Sequence, residues 1–235
     1  MRCFQVAAGI ALAGMASSGW AGADEVRVVD RPDTSLKVDF GNKEPLEPSP
    51  FAKLPIGSIV PKGWLRKMLE LDKDGMVGRL KEISPWLNLE KSAWGSKEGK
   101  GERGWEELPY WLKGYADLGY VLKDEAIIRG ARKWIDAVLA SQEPDGWFGP
   151  RANKTSLKGK PDLWPHMVMC NVLQSFYEFS GDERVIPFLT KYFQWLNTQP
   201  GENFGAGYWP KIRFGDNIET LYWLYNRTGE PWMLE

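Results

Sequence analysis

The chain has 235 residues and a formal net charge of −1, from 30 basic and 31 acidic side chains. Such a balance creates no long-range field, which argues against nucleic acid or an anionic lipid surface as a partner. The hydrophobic content of 43% excludes a wholly disordered chain, and the 13 tryptophans indicate either large core side chains or surfaces on which sugar rings stack.

The first 23 residues are typical of a secretory signal peptide. Arg2 gives a positive start, an apolar run covers residues 6–15, and residues 21–23 have the small-x-small pattern of a signal-peptidase site. The run is too short to span a bilayer, which needs about 20 residues, so no membrane anchor is expected. The sequence predicts a secreted or periplasmic protein after cleavage near Ala23.

Three segments with different patterns follow the signal peptide. Residues 24–55 are rich in proline and show little apolar periodicity, which predicts an extended N-terminal arm. From Ile59 to Leu71 apolar residues recur at helical spacing, and Pro61 is expected in the first turn of this amphipathic helix. A glycine- and lysine-rich loop of low hydrophobicity is predicted from Ser92 to Gly104.

A repeated helix–turn–helix pattern occupies the rest of the chain. Tyrosines near the ends of successive apolar helices, at positions 120, 177 and 225, are spaced roughly 50 residues apart, which is the period of a helical-hairpin repeat. Gly181 and Gly229 are placed to adopt the left-handed conformation that ends a helix. The return helices are predicted over residues 125–140 and 183–196.

The repeat predicts an all-α fold, since no stretch shows sustained strand alternation. Hairpins with strongly apolar first helices favour a closed (α/α)6 toroid over an open superhelix. Six pairs need about 300 residues at this period, so residues 56–235 are expected to form an incomplete toroid, roughly its first half. If the chain ends at Glu235, an apolar face is left without a partner, and a poorly folded or inactive protein is expected.

Four segments, GSIVPKGWL (57–65), GWEELPYWL (104–112), SQEPDGWFGP (141–150) and FYEFSGD (176–182), share their order and spacing with one family. They resemble the N-terminal half of bacterial β-L-arabinofuranosidase-like glycoside hydrolases of family 127 and their relatives. The resemblance covers residues 56 to 235. It implies an (α/α)6 barrel with an active-site pocket at one end, followed by β-sandwich domains.

The resemblance also implies a reaction, which is retaining hydrolysis of a terminal β-L-arabinofuranoside. In characterised relatives a zinc-bound cysteine thiolate is the nucleophile and a glutamate is the acid/base, and both lie in the later half of the barrel. No catalytic residue is therefore assigned, and zinc is expected only in a full-length relative. Cys170 does not match the nucleophile and is expected in the core. His166, the single histidine, cannot form a histidine-based zinc site and is expected in the interior.

Acidic residues beside aromatic residues at hairpin ends are the candidates for sugar contact, since glycoside hydrolysis usually uses two carboxylates flanking the scissile bond. The candidates are Trp105, Glu106, Tyr110, Asp145, Trp147, Asp162, Trp164 and Asp216. Each also has a structural interpretation. Asp145 in Pro-Asp-Gly suits a tight turn, Asp162 and Asp216 suit helix caps, and a tryptophan suits the core. Glu106 suits the first turn of a helix, where it complements the dipole.

The sequence thus predicts a secreted glycoside hydrolase of the β-L-arabinofuranosidase type that acts on polysaccharide-derived glycosides. One alternative is a polysaccharide lyase or unsaturated-uronyl hydrolase on the same toroid, which would need basic and tyrosine groups at its pocket. Another is a non-catalytic carbohydrate-binding module or an inactive remnant, which would bind sugar without turnover. No oligomeric state follows from the sequence.

Overall fold

The computed structural model describes residues 41–51 and 53–235. The predicted signal peptide and the first part of the arm lie outside the described residues. Across the described ranges the chain is helical, with isolated bridges in place of strands, which confirms the all-α prediction. No helix in this part of the chain combines the length and apolar content needed to cross a membrane.

The described part contains long helices in hairpins and shorter helical turns between them. The α-helices are α1 (Gly63–Asp74), α2 (Met76–Ile83), α3 (Glu107–Leu122), α4 (Glu125–Ala140), α5 (Trp164–Ser180), α6 (Val185–Asn197), α7 (Gly201–Phe204), α8 (Tyr208–Ile212) and α9 (Gly215–Thr228). Short 3-10 helices cover Pro85–Leu87, Arg151–Lys154 and Pro231–Leu234.

The predicted hairpins are present. The return helix of the first hairpin, α4, has the bounds that its sequence pattern predicts. The second return helix, α6, begins at Val185 rather than at residue 183. The reason is local, because the Asp182 carboxylate accepts the backbone amide of Arg184 at 3.1 Å and holds these residues in a turn before the helix.

The turns between the paired helices use left-handed residues. Gly181 and Gly229 adopt φ values of 67° and 73°, as predicted. In the first hairpin the same position is held by Lys123 at φ 57°, where a side chain is strained. The Lys123 ammonium donates to the Gly57 carbonyl at 2.7 Å, and the next residue, Asp124, caps α4 through the amides of Ala126 and Ile127.

The first helices of the hairpins form one layer and the return helices form another. Helix α5 packs against α3 on one side and against α9 on the other, and these three helices are called the inner layer. Helix α4 lies against α3, and α6 lies against α5 and α9, as the outer layer. Met167, Cys170 and Leu173 on α5 are completely buried between the layers, where each large apolar side chain contributes about 1.5–3 kcal/mol. Paired layers of this kind are expected of part of an (α/α) toroid.

Helix α1 is the amphipathic helix that the sequence predicts, but two details differ. Pro61 precedes the helix instead of lying in its first turn, because the N-cap residue is Lys62. The apolar face of α1 is solvent-exposed in the described structure, with Trp64 at 73% and Leu65, Met68 and Leu71 at about half of their full exposure. The helix therefore contributes little of its apolar surface to the core.

The predicted loop between Ser92 and Gly104 is not a uniformly polar surface loop. Trp94 lies within it and is fully buried. Its indole Nε1 donates to the Trp105 carbonyl at 2.9 Å, which ties the loop to the start of the first hairpin. Glycine and lysine content correctly predicted an irregular segment, while the position of its single tryptophan depends on the packing around it.

The described part of the arm packs across the C-terminal ends of the inner helices. The Lys43 amide donates to Asn226 Oδ1 at 2.9 Å near the end of α9, and the Lys53 ammonium lies 3.4 Å from Glu178 near the end of α5. The Tyr225 hydroxyl also donates to the carbonyl of Glu44. The described residues of the arm form no helix or strand, and hydrogen bonds at Lys43, Glu44 and Lys53 tie them to α9 and α5.

Candidate functional site

Residues at the N-terminal ends of the inner helices meet in one cluster. The ring of Tyr110 on α3 lies 5.9 Å from that of Trp164, the first residue of α5, and Trp164 lies 6.5 Å from Trp209 on α8. Asp216, in the first turn of α9, acts electrostatically on Tyr110. We call this cluster the rim, and its members are Trp105, Glu106, Tyr110, Asp162, Trp164, Trp209, Arg213 and Asp216.

Two tryptophan–carboxylate pairs cross between the first two hairpins and fix the rim. The indole Nε1 of Trp105 donates to Asp162 Oδ2 at 2.9 Å, while the indole Nε1 of Trp164 donates to Glu106 Oε2. Asp162 is buried and also accepts the backbone amide of Trp164 at 3.2 Å, but the N-cap of α5 is Leu163, so Asp162 lies just before the cap that its structural interpretation assigned to it. Each carboxylate therefore orients an indole of the neighbouring hairpin.

The rim presents aromatic surface to solvent. Tyr110 is 49% exposed and Trp209 is 39% exposed, and both rings flank the buried ring of Trp164. The Arg213 guanidinium lies 5.9 Å from the centre of the Trp164 ring, within the range of a cation–π contact. Two accessible rings thus lie near a fixed one.

The polar groups of the rim differ in charge and are close enough to interact. Burial raises the pKa of the Tyr110 hydroxyl, and the negative charges of Glu106 and Asp216 raise it further, while Arg213 opposes them. The phenol therefore stays protonated near neutral pH and can both donate and accept hydrogen bonds. Carboxylates, a phenol and a guanidinium around exposed rings form a surface suited to a polyhydroxylated ligand.

A family model described as β-L-arabinofuranosidase, GH127 catalytic domain, matches residues 64–235. The chain belongs to this GH127 family. The resemblance seen in the four short segments is thereby confirmed, and membership places the protein among glycoside hydrolases. No curated protein and no solved structure matches the chain.

The GH127 chain brings most of the predicted sugar-contact residues together. Trp105, Glu106, Tyr110, Asp162, Trp164 and Asp216 all belong to the rim. Asp216 does not cap its helix as its structural interpretation suggested, because the N-cap of α9 is Phe214 and Asp216 lies in the first turn. Asp145 and Trp147 lie elsewhere.

Trp147 is a core residue, which corrects the prediction that it contacts sugar. Its indole is completely buried, 4.1 Å from the ring of His166 and 4.9 Å from that of Trp195. An aromatic ring stacks on a sugar only through a free face, and neighbouring rings cover this one. The motif Asp-Gly-Trp is thus explained by packing.

Asp145 serves the turn that precedes Trp147. Its carboxylate accepts the Trp147 amide at 3.1 Å and pairs with the Lys154 ammonium at 2.7 Å. Burial opposes ionisation, but these hydrogen bonds outweigh it and lower the pKa of Asp145. The following Gly146 has φ 111°, a conformation that favours glycine, and an added Cβ would lie 2.3 Å from the Lys191 carbonyl oxygen. Asp145 therefore matches the turn interpretation, and its described partners lie outside the rim.

Trp209 and Arg213 belong to the rim but were not predicted from the sequence. A usable signal was present, since a tryptophan lies shortly before or at the start of the first helix in every hairpin, at Trp105, Trp164 and Trp209. The segment before α9 is broken into two short helices, α7 and α8, which disrupts the spacing of this repeat. Arg213 carried no comparable sequence signal.

The described residues do not fit the zinc that the family resemblance implies. No group of three or more histidine, cysteine or acidic residues within the described ranges could hold a metal ion. Cys170 is buried and its thiol pKa is raised by burial, so a thiolate is disfavoured there. His166 is fully buried with Nε2 at 2.8 Å from the Phe148 carbonyl, which confirms its predicted interior position.

Proposed function

We propose that this chain binds β-L-arabinofuranoside-containing oligosaccharides at the rim and provides sugar contacts for a GH127 glycoside hydrolase. The observation that carries the proposal is the pair of exposed residues, Tyr110 and Trp209, whose rings lie 5.9 Å and 6.5 Å from the fixed ring of Trp164. Family membership supports a carbohydrate as the ligand class.

The chemistry of the rim suits a neutral sugar. The C–H face of a furanose packs on an aromatic ring, while its hydroxyls donate to carboxylates and accept from a guanidinium. Glu106 and Asp162 are already bonded to indoles, so they support the aromatic surface. Asp216 and the Tyr110 hydroxyl are the polar groups best placed to meet hydroxyls of the ligand.

A uronate-specific lyase or hydrolase receives some support from the rim, because Arg213 and Tyr110 provide the basic and tyrosine groups that such an activity needs. The carboxylates of Glu106 and Asp216 act on the same tyrosine and would repel a uronate. Since carboxylates outnumber cations at this rim, the neutral arabinofuranoside is the better match.

The test is a titration of the whole chain with a β-L-arabinofuranosyl disaccharide, in which calorimetry or NMR measures the binding. Tyr110→Ala and Trp209→Ala should each weaken binding by about fivefold or more, since an aromatic contact contributes about 1 kcal/mol. Trp64→Ala is the matched control, because Trp64 is an exposed tryptophan on α1 that takes no part in the ring contacts of the rim. Disaccharide affinity that is unchanged in both rim variants would overturn the proposal.

An activity assay with an aryl β-L-arabinofuranoside separates the enzyme from the binding module. Release of arabinose that the rim variants reduce would support a hydrolase. Saturable binding of the disaccharide with no release would identify a non-catalytic carbohydrate-binding module instead.

We also propose that the protein is exported, on the basis of the signal-peptide pattern in residues 1–23. Expression in a bacterial host followed by fractionation should place the mature chain outside the cytoplasm, with Asp24 at its N-terminus. Recovery of the uncleaved chain from the cytoplasm alone would contradict export.

A further inference from the structure

The inner layer carries a polar cavity of about 300 Å³ that reaches the rim at Asp216. Its walls come from α3, α5 and α9, and Lys53 and Leu54 of the arm, with Ile56, also line it. We call it the inner cavity. Its polar lining residues are Lys53, Lys113, Asp117, Asn171, Gln174, Ser175, Glu178, Asp216 and Glu219.

Glu178 is a deeply buried carboxylate with hydrogen-bond partners at only one of its two oxygens. Its side chain is 5% exposed, which is unusual for an ionisable residue. One oxygen, Oε1, accepts from the Trp223 indole at 3.0 Å and from Lys53 at 3.4 Å, with Arg227 at 3.9 Å. The other oxygen, Oε2, is buried and has no hydrogen-bond partner. A buried acceptor without a donor costs free energy that a bound donor would recover.

Asp117, on the adjacent helix α3, also has a carboxylate oxygen that lacks a hydrogen-bond partner. Its Oδ1 is buried without a partner, while Ser175 donates to the carboxyl group. Burial raises the pKa of Asp117, with the nearby charge of Glu178 acting in the same direction, whereas Lys113 and Lys53 oppose the shift. Two carboxylate residues, each with one unsatisfied oxygen, therefore line one cavity.

The remaining lining groups offer both donors and acceptors. The Lys113 ammonium donates to Asn171 Oδ1 at 3.0 Å, and the Gln174 amide donates to Glu219 at 3.1 Å. Lys53 and Lys113 partly offset the negative charge, and the described residues contain no group of three acidic, histidine or cysteine ligands for a metal. A ligand whose groups both donate and accept, such as a sugar hydroxyl, fits this mixture better than a cation.

We propose that the inner cavity binds one neutral, polyhydroxylated ligand of monosaccharide size, whose hydroxyls donate to Asp117 and Glu178. The volume lies at the lower end of the range for small-molecule sites. The two carboxylates lie in the second half of α3 and α5, whereas the rim lies at the helix starts, and Asp216 of the rim also lines the cavity. The rings of Tyr110 and Trp209, on which the rim proposal depends, do not line it.

The test measures binding of L-arabinose to the whole chain by NMR saturation transfer and titration. D-galactose serves as a second neutral sugar. Asp117→Asn and Glu178→Gln should each weaken binding at least fivefold, because each amide replaces an acceptor oxygen with a donor. Asp136→Asn is the matched control, since Asp136 lies on the outer helix α4 and pairs with Arg184. If Glu178→Gln does not fold, Asp117→Asn carries the test, since burial already disfavours the charge of Asp117.

The rim variants and the carboxylate variants together distinguish the inner-cavity proposal from the rim proposal. Tyr110→Ala and Trp209→Ala should leave the monosaccharide affinity unchanged while they weaken disaccharide binding. If the rim variants abolish monosaccharide binding and the carboxylate variants do not, the inner-cavity proposal is overturned and the rim proposal stands. Absence of saturable binding of either neutral sugar, or calcium binding that Asp117→Asn removes, would also overturn it.

Discussion

Glu106 and Asp162 show how a residue's partners decide its role. Both were predicted to contact sugar, because acidic residues beside aromatic residues are typical of glycosidase sites. In the structure each accepts the indole N–H of a tryptophan from the neighbouring hairpin. A carboxylate bonded in this way fixes an aromatic ring more directly than it serves as a free acid or base. Their contribution to sugar binding is therefore expected through Trp105 and Trp164.

His166 provides a prediction at the residue scale. Burial lowers its pKa to about 4, against about 6.5 in an unfolded chain. The unfolded state therefore takes up a proton as pH falls from about 6.5 towards 4, while the folded state does not, so stability falls in this window. His166→Phe should flatten the pH dependence of the melting temperature between these values.

His166→Phe should also be less stable than the unmodified chain at neutral pH, which serves as an internal check. Phenylalanine cannot donate to the Phe148 carbonyl, and the unsatisfied acceptor should lower stability by about 1–3 kcal/mol at pH 7. Thermal melts at several pH values measure both effects. An unchanged slope between pH 6.5 and 4 in the variant would show that another group controls acid destabilisation.

At the scale of the elements, the hairpin turns depend on backbone conformation more than on contacts. Gly181 ends α5 at φ 67°, and a Cβ added there would meet no atom within 4 Å. Any cost of a side chain at this position is therefore conformational. The turn of the first hairpin shows that the cost is tolerable, since Lys123 adopts the same region.

Gly181→Ala should destabilise the fold by about 1 kcal/mol, the usual cost of a left-handed alanine. Gly114→Ala is the control, since Gly114 lies inside α3 and its added Cβ also meets no atom within 4 Å. That substitution should stabilise by about 0.5–1 kcal/mol, because it reduces the freedom of the unfolded chain. Chemical denaturation measures the free energy of unfolding of both variants. If both substitutions change it in the same direction, the conformational explanation is contradicted.

At the scale of the whole molecule, the described structure buries the inner layer and leaves the apolar face of α1 open. Contiguous exposed apolar surface promotes dye binding and association. Leu65→Lys with Leu71→Lys should reduce binding of a hydrophobic dye, with a stability change within about 0.5 kcal/mol, because both side chains are already exposed.

Gln194→Lys controls for added positive charge, since Gln194 is an exposed polar residue on α6. It should leave dye binding unchanged. Equal dye binding by the double variant and the unmodified chain would show that the dye binds to another surface.

Local patterns determined the hairpins from the sequence alone. The helical repeat, Gly181 and Gly229 predicted α4 and the two glycine turns correctly, because helix period and left-handed caps depend on residues a few positions apart. The four family motifs are equally local, and they identified the GH127 family.

Only the tertiary structure decided which aromatic residues are accessible and where the arm lies. Trp147 and Trp209 are the same residue type, yet the first is covered by His166 and Trp195 while the second faces solvent. The sequence predicts an extended arm, but only the structure shows that its Lys53 pairs with Glu178, 125 positions away in the chain. Burial and pairing of this kind depend on groups that are distant in sequence, and no local pattern encodes them.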